Sequence, residues 1–124
     1  AAAFQISQER LARQARRELA NLQLRLRHTY LESAGRSEML QGHLQRGATT
    51  LFVNVGVLIE LKTGVRHETF AEIAKAANAI GLDPELLSQL RTLRREFTAQ
   101  TDIKQLFSGI LGQLDIALQY ASTI

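Results

Sequence analysis

The sequence predicts an all-α protein: an up-and-down bundle of about five helices, three long and two shorter, with a four-helix-bundle-like core. Three observations lead there. Apolar residues recur at steps of three and four, as in Leu19-Leu22-Leu26 and Leu106-Ile110-Leu114, which is the period of a helix and not the alternation of a strand. The breaks between periodic stretches are short and carry helix stops or starts, notably Gly35, Gly64, Gly81 and Asp83-Pro84. Finally, 124 residues with 45% apolar content suffice for one core, and no repeat, low-complexity tract or long linker divides the chain. Residues 1–124 are therefore read as one helical domain.

Helix one is expected at about Ser7 to Ser33, with Ser7 as N-cap and Gly35 as its stop. At 100° per residue, Leu11, Ala15, Leu19, Leu22, Leu26 and Tyr30 form one apolar stripe, while Ala20, Leu24 and Leu31 fall near the opposite side. Helix two runs from about Glu38 to Thr63, with Ser37 as cap and Gly64 beyond its end. Its Leu51–Leu61 segment is rich in β-branched and aromatic residues but lacks two-residue alternation. Gly47 and Gly56 inside it each cost roughly 1 kcal/mol against Ala, so their common side is expected to pack closely on another helix, helix five. Thr49-Thr50 is placed within buried helix, its hydroxyls bonding back to carbonyls one turn earlier.

Helix three is expected at about His67 to Ile80, with Phe70, Ile73, Ala74, Ala77 and Ile80 on its apolar face and Gly81 as stop. Asp83 as N-cap with Pro84 at the first helical position starts helix four, about Pro84 to Thr98. Thr101 or Asp102 caps helix five, about Ile103 to Ser122, whose core stripe is wide: Ile103, Leu106, Phe107, Ile110, Leu111, Leu114, Leu118 and Ala121.

With no cysteine, the chain has no disulfide, thiolate nucleophile or cysteine-based zinc site. The longest uncharged run, Gly47 to Ile59, is shorter than the roughly 20 residues a membrane-spanning helix needs, so no membrane role is expected. The net charge of +3 is uneven: residues 1–46 hold eight Lys/Arg against four acids, and residues 47–124 hold seven against eight. Such a basic leading helix either faces phosphates or an acidic partner, or is an ordinary solvated face. The start, Ala1-Ala2-Ala3-Phe4, has neither an initiator Met nor a secretory leader. It reads as a boundary, with residues 1–3 as tag residues and a preceding domain cut away.

Three segments, taken in order, resemble a known arrangement: Leu24-Arg25-Leu26-Arg27-His28-Thr29-Tyr30-Leu31-Glu32-Ser33-Ala34-Gly35, then Gly47-Ala48-Thr49-Thr50-Leu51-Phe52-Val53-Asn54-Val55-Gly56-Val57-Leu58-Ile59-Glu60-Leu61, then Ile80-Gly81-Leu82-Asp83-Pro84-Glu85-Leu86-Leu87. Together they resemble the helical domain that follows the catalytic domain in bacterial predicted nucleotidyltransferases, relatives of the minimal and aminoglycoside-modifying types. The likeness spans almost the whole chain and lies in helix order and apolar spacing. It implies a cytoplasmic, non-catalytic domain that packs on its own N-terminal catalytic domain, contributes to acceptor-substrate binding, or dimerises. Magnesium and a nucleoside triphosphate are implied only for that catalytic domain, whose Gly-Ser turn and Asp-x-Asp pair have no counterpart in this sequence. No cofactor is expected here.

The resemblance carries over no catalytic residue. Glu32 or Glu60 matches the acceptor-activating acid of the aminoglycoside-modifying members by position alone. The expected interaction surface is Ala20, Leu24 and Leu31 with Arg13 and Arg17, all on helix one. His28, His43 and His67 lack the i, i+3 or i, i+4 spacing that aims two ligands at one metal; His43 reads as a partly buried packing residue and His28 as exposed. Sequence-specific nucleic-acid binding is not expected, since few aromatics interleave with the basic face. Two alternatives remain: a helical ribonuclease of the HEPN type, whose Arg and His spacing is met once by Arg36 and His43, and a small dimeric interaction module without enzyme connection.

Overall fold

Residues 37–63, which contain the longest uncharged run of the chain, Gly47 to Ile59, form the helix on which the others pack. The computed structural model describes residues 2–34, 36–95 and 102–124, with side chains over 8–34, 36–93 and 102–124. It consists of α1 (Ala2–Ser33), α2 (Ser37–Thr63), α3 (Phe70–Ala76) continued by one 3₁₀ turn (Ala77–Ile80), α4 (Pro84–Arg95) and α5 (Ile103–Ala121), and no strand occurs among the described residues. The fold is an all-α helical bundle.

Side-chain pairings give the directions. Thr29 meets His43 while Leu22 meets Gly47, so α1 and α2 are antiparallel. Tyr30 packs on Phe107 while Arg27 reaches Asp115, so α1 is also antiparallel to α5. Gln45 bonds the Leu93 carbonyl from α2, and Leu86 lies on Gly109 of α5. α1 and α4 thus run one way and α2 and α5 the other, the up-and-down arrangement of a four-helix bundle. The segment 64–69 returns along α2, and the short α3 with its 3₁₀ turn then runs parallel to the second half of α2, with Phe70 stacked on Phe52, Ile73 against Gly56 and the Ala79 carbonyl accepting from the Lys62 ammonium.

α2 buries Leu40, Leu44, Ala48, Leu51, Phe52, Asn54, Val55, Leu58 and Ile59, an arc of nearly half its circumference, because α1, α3, α4 and α5 all touch it. Polar groups inside this core are satisfied: the Asn54 amide donates to the Thr50 carbonyl at 2.7 Å, and the Ser33 hydroxyl donates to the Tyr30 carbonyl at 3.1 Å. Thr49, expected within buried helix, is exposed, and Thr50 is half-buried.

Helix boundaries follow the capping chemistry with three corrections. α1 starts at Ala2, so Ser7 lies inside the helix and is not its N-cap; Ala2 and Ala3 are strong helix formers and extend it backwards. At its end Ala34 takes the left-handed conformation, φ 51°, at a cost of about 1 kcal/mol for a residue with a Cβ; Gly35 lies outside the described residues. The N-cap of α2 is Arg36, in extended conformation, with Ser37 the first helical residue and no side-chain cap bond. The Arg36 carbonyl already accepts from the Leu40 N–H at 3.2 Å, which starts the helix one residue earlier than the Ser37 hydroxyl would.

α3 begins after His67, not at it, because Thr69 accepts from the Glu72 N–H at 3.2 Å while the Glu72 carboxylate accepts from the Glu68 N–H at 3.1 Å. Gly81 ends the following 3₁₀ turn at φ 85°. Asp83 opens α4 by accepting from the Glu85 N–H at 2.9 Å, and its own N–H donates to buried Gln113 at 2.7 Å, which ties the start of α4 to α5. The expected end of α4 at Thr98 and the alternative cap Thr101 lie outside the described residues. Asp102 caps α5, accepting from the Gln105 N–H at 3.1 Å.

The glycine expectation is corrected in its partner. Gly47 and Gly56 are nine residues apart, two and a half helical turns, and so lie on opposite sides of α2. A Cβ at Gly47 would come within 2.8 Å of Leu22 on α1, and one at Gly56 within 3.0 Å of Ile73 on α3. Neither faces α5. The close approach to α5 is made at Gly109, where a Cβ would meet Leu86 of α4 at 3.1 Å.

Candidate functional site

α1 is 32 residues long, about 48 Å at 1.5 Å per residue, and among its described side chains the fully covered ones lie on its inner side. Its buried residues are Ala12, Ala15, Leu19, Leu22, Leu26, Thr29 and Ser33. These steps alternate strictly between three and four, a repeat of 3.5 residues as in coiled coils. That period overturns both ends of the expected stripe: Leu11 is 45% and Tyr30 42% exposed. A stripe drawn at 3.6 residues per turn drifts from a 3.5-residue seam by ~20° per heptad. Tyr30 falls on the α5 edge, its ring 5.8 Å from that of Phe107.

A second series with the same spacing runs along the outward side of α1: Arg13, Arg17, Ala20, Leu24, Arg27 and Leu31. Leu24 is 60% and Leu31 78% exposed, Ala20 is half-buried, and Arg13 and Arg17 are exposed. The structure therefore brings the five expected surface residues onto one seam. Its α5 flank is closed by Asp115, which accepts from Gln23 and pairs with Arg27 at 3.5 Å. This pair is more than half exposed at both ends and contributes little stability. What it does is hold Arg27 to one side of the two leucines.

The other candidates are dispersed. Glu32 is exposed on α1, 3.8 Å from His28, and Glu60 is exposed on α2. Arg36 donates to the Ser33 carbonyl at 3.2 Å and lies against the Met39 sulfur at 3.0 Å, whereas His43 is 3.3 Å from the Thr29 hydroxyl. The Arg and His of the ribonuclease-type spacing are thus engaged with different partners. His67 sits before α3, 3.9 Å from Glu72. Among the described residues no three His, Asp or Glu side chains are grouped to hold a metal ion, and no helix is long and apolar enough to cross a membrane.

Sequence reading singled out neither Thr29 nor Arg46, which the antiparallel pairing of α1 and α2 sets beside Arg25 and His43 in one cleft. Arg25 with Thr29 and His43 with Arg46 are ordinary one-turn neighbours, so nothing marks them until the two helices are paired. No protein-family model, no curated protein and no solved structure matches the chain.

Proposed function

We propose that this chain is a helical accessory domain that binds and does not itself react, and that it serves a nucleotidyltransferase whose catalytic domain docks on the outward seam of α1. The supporting observation is the pair Leu24 and Leu31, exposed on a 3.5-residue seam that the bundle leaves uncovered. Water-exposed leucines at coiled-coil spacing are suited to covering by an apolar face. Arg13 and Arg17 extend the seam with positive charge, which favours an acidic rim on the docked surface. A second copy of the chain, laid antiparallel on the same seam, is the second reading. The order of helices and of their apolar segments, which resembles the nucleotidyltransferase helical domain, supports the first.

The coding sequence upstream of Ala1 tests the enzyme connection. A strand-helix domain with Gly-Ser followed by Asp-x-Asp is expected there, and a start codon close to Phe4 overturns the assignment. The isolated chain, incubated with labelled nucleoside triphosphates, magnesium and a panel of acceptors, is expected to show no transfer; acceptor-dependent pyrophosphate release by the pure protein would sink the accessory role.

The docking face is tested by Leu24→Glu with Leu31→Glu. Each leucine is worth about 1.5–3 kcal/mol when covered, so the double variant is expected to weaken association on the order of 100-fold. Its thermal stability in the unassociated state should hold, because neither side chain belongs to the core. If the double variant binds the catalytic domain as tightly as the unsubstituted chain does, and its sedimentation matches that of the unsubstituted chain, the seam is ordinary surface.

A further inference from the structure

The cleft between α1 and α2 has the composition of an anion site. Its volume is about 390 Å³, within the range of small-molecule pockets. Leu22 and Leu26 form an apolar floor, and Gly47, lacking a side chain, lets α2 approach Leu22 closely. The polar lining comes from both helices: Arg25, His28 and Thr29 from α1, and His43 and Arg46 from α2. No acid lines it.

Neither Arg25 nor Arg46 belongs to an ion pair among the described residues. The Arg46 guanidinium lies back over Gly42, where its nitrogens are 3.7 Å from the position a Cβ would take. Thr29 is buried, and its hydroxyl donates to the Arg25 carbonyl at 2.9 Å. Its single proton being used there, the 3.3 Å approach of His43 Nδ1 is satisfied with Nδ1–H as the donor. In that tautomer Nε2 is an acceptor, open to an N–H or O–H of a ligand.

We infer that this cleft binds a small phosphate-bearing molecule, with Arg25 of one wall and Arg46 of the other supplying N–H donors to its phosphoryl oxygens. Guanidinium groups match phosphate with paired N–H donors, and one from each helix beside an apolar floor gives a diphosphate two points of attachment where a carboxylate has one. The groove at Arg10, Arg13 and Arg17 is a weaker anion site because Glu18 shares its lining and α1 alone supplies it. Among the described residues no Phe, Tyr or Trp lines the α1–α2 cleft, so the large stacking platforms that hold single-stranded nucleic acid are missing. This inference is independent of the docking face, which lies on another side of α1.

The test is titration of inorganic pyrophosphate into the intact chain at low salt, followed by calorimetry and amide chemical shifts. Saturable binding is expected, with the largest shifts at Thr29, His43 and Gly47. Arg25→Gln and Arg46→Gln should each weaken it about 10-fold or more with melting temperature unchanged, and Arg46→Lys should restore only part of the loss. The pair Arg10→Gln and Arg13→Gln should leave binding as it is. Three results would overturn the inference: no saturation, equal weakening by the Arg10 and Arg13 replacements, or binding of a single-stranded oligonucleotide with none of pyrophosphate.

Discussion

Phe52→Ala is expected to destabilise the protein by about 3–5 kcal/mol, the usual cost of emptying a buried aromatic site. Phe52 is fully buried on α2 and its ring stacks on Phe70, with centroids 4.8 Å apart and planes 14° from parallel. The second effect of the change is local. α3 has seven residues, too few to be helical in isolation, so it depends on this stack and on Ile73 for its position. A urea titration should show the midpoint falling without a change in two-state character. Hydrogen exchange should show the amides of Phe70–Ala76 losing more protection than those of α5. A loss below ~1 kcal/mol would mean that the site collapses around the missing ring and that α3 is held by other contacts.

Gly56→Leu should cost about 1–3 kcal/mol through overpacking, whereas Gly56→Ala should be close to neutral. The two variants separate opposing effects. Replacing a helical glycine by alanine gains roughly 1 kcal/mol of helix propensity, but here the new Cβ would meet Ile73 Cδ1 at 3.0 Å, and the displacement of that methyl offsets the gain. Leucine adds three further carbons in the same direction, where buried Ile73 has little room to retreat. Denaturant midpoints of the two variants decide the matter: a neutral leucine variant would place the Gly56 side of α2 away from α3.

Local chemistry made much of this molecule legible in its sequence. Asp83-Pro84 starts α4 and Asp102 starts α5, because a capping carboxylate acts on N–H groups two or three residues away and needs no distant partner. Gly64 and Gly81 end their segments with φ of 76° and 85°, a conformation that favours glycine wherever it occurs. The α5 stripe was read with Leu111 and Leu118 included, and both pack against the core as half-buried residues. The seam of Leu24 and Leu31 was also visible, since angular position on a helix follows from residue number alone.

By itself, then, the sequence determined the helices, most of their ends and the apolar side of each, for these depend on neighbours within a turn or two. The tertiary structure decided what each side meets. It set Gly47 against α1 and Gly56 against α3, and left Leu11 and Tyr30 at the margins of a seam whose repeat is 3.5 residues, not 3.6. It also brought Arg25 and Thr29 to face His43 and Arg46. Periodicity fixes a residue's direction around its own axis, but it carries no information on which neighbour lies in that direction, and that choice is made by the packing of whole helices.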